Sequence, residues 1–115
     1  MIDLQKLVNK TIKFRDQRDW KQFHNPKDIA LSMVLEAGEV LEHFQWKNGH
    51  DLATHLEKNK DELSKELMDT LAYLLILTHD LDIDIEKSFD KKLMEDTKKY
   101  PISKSKGKST KYTKL

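Results

Sequence analysis

Two segments, LSMVLEAGEVLEHF (residues 31–44) and LSKELMDTLAYLLIL (residues 63–77), carry apolar side chains at helical spacing, with acids set among them. Glu36 and Glu39 lie three residues apart in the first, and Glu66 and Asp69 repeat that separation in the second. An i, i+3 separation puts each pair on one face of its helix. An ionised carboxylate against an apolar surface loses hydration, and the loss is severe unless an opposite charge offsets it or a proton neutralises it. Four such groups at matching positions call for a cation.

Apolar periodicity organises the rest of the chain. Only three Gly and two Pro interrupt 115 residues, and four segments repeat at the helical period, so the pattern predicts an all-α four-helix bundle. The first helix is expected over about 3–18, with Leu4, Leu7, Val8, Ile12 and Phe14 inward, followed by the aromatic and basic connection RDWKQFHNP. Asn25 reads as an N-cap, with Pro26 at the first helical position and Asp28 as its capping-box-like partner. Along the second helix Ile29, Ala30, Met33, Val34, Ala37, Val40, Leu41 and Phe44 form a stripe. Ser32, Glu36, Glu39 and His43 fall along one border of it.

Residues 45–60, with Gly49 among polar neighbours, read as a loop or a short frayed helix. The third helix is expected from 59–61 to about 81. Its second half, with Leu71, Leu74, Leu75, Ile76 and Leu77, leaves almost no polar face, which predicts self-association. Asp82 or Asp84 would cap a fourth helix carrying Ile85, Phe89 and Leu93, closed by Pro101. These boundaries give one domain over 1–100. The remainder, 101–115, has five Lys from 104 onward and no acid, and is expected to be a basic C-terminal tail ordered only by docking.

Composition narrows the class of function. Lys and Arg number 21 against 20 Asp and Glu, for a net charge of +1, so no global field argues for nucleic acid and none is expected as a partner. Cysteine is absent, which excludes disulfides and thiolate metal sites and fits a reducing cytoplasm. The longest apolar runs fall well short of the roughly 20 residues that span a bilayer. MIDLQKLVNK lacks the apolar core of a signal peptide. A soluble, cytoplasmic protein with no membrane partner is the expectation.

Four i, i+3 acid pairs occur in all, close to what 20 acids scattered over 115 residues produce by chance, so the count itself carries nothing. Context does: Glu36/Glu39 and Glu66/Asp69 alone border strong apolar stripes. Against a metal role stands the alternative of acids that are solvated or paired with lysine. If a metal binds, an all-oxygen donor set selects Mg²⁺, with Mn²⁺ as a substitute, and such ions take substrate phosphate oxygens into their shell. Phosphoryl chemistry is then the natural class. A di-iron centre would need Glu-x-x-His, and neither Glu36, Glu39 nor Glu66 has a His three residues on. The His79-Asp80 dipeptide is shared with HD-type phosphohydrolases but has no supporting histidine pattern.

Glu36-x-x-Glu39, 26 intervening residues, and Glu66-x-x-Asp69 together resemble the signature of the all-α MazG-like nucleoside triphosphate pyrophosphohydrolases. FRDQRDWKQFHNPKDIALS, EAGEVLEHFQWK, ELMDTLAYLL, the KYP element and the KSTKYTKL tail extend the similarity over nearly the whole chain, to the dCTP pyrophosphatase-like branch of that family. The resemblance implies Mg²⁺-dependent hydrolysis between the α and β phosphates of a nucleoside triphosphate, giving monophosphate and pyrophosphate. A pyrimidine deoxynucleotide, dCTP first, would be the substrate, in house-cleaning of the nucleotide pool. Glu36, Glu39, Glu66 and Asp69 would bind the metal, with a glutamate such as Glu36 assisting the attacking water. The resemblance also implies a homo-oligomer, a dimer or a dimer of dimers (homotetramer), with sites built from more than one subunit.

Trp20 and Trp46 either sandwich a nucleobase or anchor the core or an interface. His24 either hydrogen-bonds the base or caps the following helix. Tyr73, one turn beyond Asp69, either touches the sugar or fills the core. Lys92, one turn before Asp96, either meets triphosphate as a point charge or is an ordinary surface lysine. Asp96 stands where the family commonly has Asn; it either joins the metal shell or repels the substrate. The competing class is a non-enzymatic helical oligomer that holds nucleic acid or a protein through its basic tail.

Overall fold

The computed structural model describes residues 1–115, all of whose regular elements are helices. The chain divides into two compact units, Met1–Asp82 and Ile83–Leu115.

The first unit holds α1 (Leu4–Gln17), α2 (Pro26–Glu42), α3 (Gly49–Lys58) and α4 (Lys60–Asp80). Local chemistry sets their starts. The Asp3 side chain accepts from the Lys6 N–H and opens α1. At α2 the Asn25 side-chain oxygen accepts from the Asp28 N–H at 2.9 Å, while Asn25 Nδ2 donates to Asp28 Oδ2 at 2.6 Å. Pro26 occupies the first turn, where no intrahelical donor is lost. The expected cap is therefore present and reciprocal.

The long helices α2 and α4 form the principal packing, α1 lies on α4, and α3 touches α4. Their common interior is small. Val8, Ile29, Leu75 and Ile76 are buried, and among them lies one charged side chain, Arg15, at 2% exposure. Ionisation survives there because Arg15 finds an acid at the end of α4, described below.

Residues 45–60 take the helical one of the two forms expected for them. Ten of them form α3, in which Leu52, His55 and Leu56 share a half-buried face. Asp51 in its first turn, with His55 and Lys58 in its last, places charge favourably along the helix dipole. Polar composition left that choice open, since the apolar stripe is only two leucines wide. Phe14 departs from its expected inward place: it is half exposed, with the Arg18 guanidinium 3.6 Å above its ring and Trp20 edge-on at 5.7 Å.

Much of the α2 stripe stays uncovered. Of its members Val34 and Leu41 are 65% and 66% exposed; Leu31 and Leu35 beside the stripe, and Leu67, Met68 and Leu74 on α4, are also open. Gly38 lies on α2 with nothing within 4 Å of where a Cβ would stand.

The second unit contains α5 (Ile85–Lys99) and the short α6 (Ile102–Ser105). Of the two candidate caps it is Asp84 that accepts from the Lys87 N–H, at 3.0 Å. Asp82 instead takes a left-handed backbone, φ 55°, in the turn before it. Near the C-terminus Tyr112 meets Tyr100 edge to face at 5.9 Å, under Lys99 Nζ 4.8 Å from its ring centre. No helix is long and apolar enough to cross a membrane.

Candidate metal and nucleotide site

Packing α2 against α4 brings the two acid pairs toward one another. Glu36 and Glu66 are half-buried, while Glu39 and Asp69 reach solvent. Glu36 registers all of its neighbours: burial, then the charge of Glu39 and a hydrogen bond with it, then the charges of Asp69 and Glu66, push its carboxyl above the ordinary value. Four acids from two helices therefore share one field, as the spacing in the sequence required. Residues 35–41 contain no basic side chain, and Lys65 beside Glu66 lies 3.4 Å from Glu62 instead.

A hard divalent cation fits this donor set, which offers only carboxylate oxygens. Glu66 Oε2 is sealed from solvent and meets His43 Nε2, so the other carboxylate oxygen is the one a cation would take. No three His, Asp or Glu side chains converge tightly enough to close a coordination shell by themselves. Mg²⁺ keeps several waters and is held by few carboxylates plus substrate oxygens.

The aromatic candidates separate into different settings. Trp46 lies just past the end of α2, 90% exposed, on a left-handed backbone with φ 66°. A residue with a β-carbon adopts that conformation at a cost, so the turn FQWK holds the indole outward against its own preference. Trp20 is half exposed and already stacks edge-on with Phe14; its ring centre is 6.5 Å from His24. His24 Nδ1 is buried with no partner. Burial first, then the charge of Arg15, lowers the His24 pKa against an opposing pull from Asp80, so this imidazole stays neutral and free to accept or donate. Tyr73 is half-buried on α4 one turn beyond Asp69. In the second unit, Lys92 Nζ donates to Asp96, and that bond raises the lysine's pKa. The two residues thus partly neutralise each other.

Sequence reading passed over two histidines here. Glu66 Oε2 meets His43 Nε2 at the end of α2. His43 Nδ1 lies 2.9 Å from His55 Nε2 on α3, and His55 Nδ1 lies 3.2 Å from Asn59 Nδ2. The position of His43 on the acidic border of α2 was a signal for the first of these. His55 had none, because its segment carries no strong stripe that fixes which face packs on α4.

Comparison with known proteins places this geometry among relatives. A family model described as MazG-like matches residues 31–115. The chain is 36% identical over 104 residues to dCTP pyrophosphatase 1 of Rattus norvegicus, which covers 89% of this chain and 61% of that protein. With the Homo sapiens protein of the same name it is 34% identical over the same shares. The chain thus spans about three fifths of the length of these curated relatives. Among solved structures, a pyrophosphatase from Archaeoglobus fulgidus superposes with a TM-score of 0.80 at 34% identity, covering 88% of this chain and 94% of that one.

Proposed function

The chain belongs to the MazG-like family, and from that premise we propose that it is a Mg²⁺-dependent nucleoside triphosphate pyrophosphohydrolase. It would cleave dCTP or a related pyrimidine deoxynucleotide to monophosphate and pyrophosphate, clearing the nucleotide pool. One observation carries the reading: Glu36, Glu39, Glu66 and Asp69, from two helices, lie near enough for three of them to raise the pKa of the fourth.

Glu36, Glu39, Glu66 and Asp69 hold the cation, with Mn²⁺ as a working substitute. Bound there, it supplies neutralisation of phosphate charge and activation of water. Glu36, the half-buried member of the α2 pair, is the glutamate suited to take the proton of the attacking water. Trp46 offers an exposed π-face for the base, and His24, neutral and unpartnered at Nδ1, offers a hydrogen bond. Trp20, Tyr73, Lys92 and Asp96 remain substrate-contact candidates. The open apolar face around Gly38 supports a homo-oligomer, in which α2 of one copy lies close against a second. The relatives named dCTP pyrophosphatase 1 support the choice of base.

The test is product identity. Each nucleoside triphosphate is incubated with the protein and Mg²⁺ and followed by phosphorus NMR. Monophosphate and pyrophosphate, fastest with dCTP, are expected; diphosphate and inorganic phosphate would contradict the proposed bond.

A further inference from the structure

Glu66 has an oxygen sealed from solvent, and that oxygen faces a histidine. The partners behind the histidine determine its protonation. A carboxylate can only accept, so the nitrogen facing Glu66, His43 Nε2, must carry a proton. In a neutral imidazole the other nitrogen, Nδ1, is then an acceptor, and it needs a donor 2.9 Å away at His55 Nε2. His55 Nδ1 becomes an acceptor in turn, and an amide donor, Asn59 Nδ2, stands 3.2 Å from it. Asn59 is itself fixed, since the same Nδ2 donates to the His55 carbonyl at 2.9 Å. Every group is satisfied in one direction only, from Asn59 to Glu66, with both rings neutral.

We propose that His43 is a positioning residue for Glu66, and that His55 and Asn59 lock it in the Nε2–H tautomer so that Glu66 presents its other oxygen to the cation. The inference rests on Glu66 being a metal ligand as read above. The relay spans the C-terminal end of α2, the middle of α3, the α3–α4 junction and the second turn of α4, so it also ties the otherwise lightly held α3 to the site. Burial, with the charge of Lys47, lowers the His55 pKa, in agreement with a ring that stays neutral. Hydrogen bonds of this kind to metal ligands are worth about 10- to 100-fold in metal affinity.

The experiment measures Mn²⁺ affinity by titration without nucleotide, together with imidazole ¹⁵N NMR at neutral pH. Both His43 and His55 are expected as Nε2–H tautomers. His43→Leu should weaken Mn²⁺ binding about tenfold with unchanged helical content. His43→Gln, whose Nε2 can still donate to Glu66, should recover most of the loss. If His43→Leu does not fold, His55→Phe gives the same reading: it removes the donor at Nδ1, so His43 should lose its single tautomer and Mn²⁺ should bind severalfold more weakly. A His43 protonated on Nδ1, or Mn²⁺ affinity in a folded His43→Leu protein equal to the original, would overturn the proposal. No Mn²⁺ binding by the unsubstituted protein would contradict the carboxylate reading itself, and the relay with it.

Discussion

Arg15 Nη1 lies 2.9 and 2.7 Å from the two carboxylate oxygens of Asp80, joining residues 65 apart at the ends of α1 and α4. Arg15 also donates from Nε to Asp16 at 3.2 Å and is itself 2% exposed. Removing one member of such a pair leaves the other desolvated and uncompensated, at a cost of about 3 kcal/mol or more. Arg15→Met should therefore lower unfolding stability by that order in urea titration. The His79-Asp80 dipeptide belongs to this clamp.

The same pair predicts an acid transition. Burial would raise the Asp80 carboxyl, but hydrogen bonds from Arg15 and His79, with their charges, outweigh it and hold the group below its ordinary value. A depressed carboxylate contributes its full stability above the unfolded pKa and loses it as pH falls through the folded one. His24, also lowered, disfavours its proton in the folded state, so its contribution declines as pH drops below 6.5. Glu36, raised, has the opposite sign, and its effect is removed by working in a Glu36→Gln background. Urea stability should then fall in two stages on acidification, and Asp80→Asn should abolish the lower one.

Trp46 separates binding from folding. Its left-handed backbone costs about 1 kcal/mol that glycine would not incur, and its side chain covers little. Trp46→Gly should leave stability unchanged or slightly raised. Loss of a base-stacking platform, about 1 to 3 kcal/mol, should raise KM for the nucleotide at least fivefold. A clear drop in melting temperature with KM unchanged would make the indole a structural anchor.

Gly38 distinguishes an isolated helix from a packed one. In a single copy a side chain there meets nothing, and Gly38→Ala should stabilise α2 by about 0.5 to 1 kcal/mol. If two copies pack across this face, Gly38→Leu should shift sedimentation from the oligomer to the monomer. An unchanged sedimentation profile would place the interface elsewhere.

What the sequence revealed follows from which signals are local. The Asn25-Pro26-Asp28 start, the Asp84 cap and the acid spacing on α2 and α4 depend on neighbours within one turn, and all are present. The choice between loop and short helix at α3 stayed open because two leucines among polar residues do not make a strong stripe; its packing on α4 supplies what local pattern lacks. Phe14 was placed inward by periodicity alone, while Arg18 and Trp20 in the following turn cover its ring instead. The breadth of the α2 stripe signalled more burial than one copy provides, which is why its members Val34 and Leu41 lie open. The His43–His55 contact joins a helix end to the helix that the pattern left undecided, so no spacing could announce it.

Pyrophosphate release from dCTP by Glu39→Gln and Asp69→Asn, each compared with the unsubstituted protein at saturating Mg²⁺, tests the carboxylate cradle most directly. Both substitutions keep size and remove one negative charge from an exposed side chain, so circular dichroism should be unaltered. The account predicts that release falls more than about 100-fold in each. Turnover at the original rate in either folded variant would contradict it.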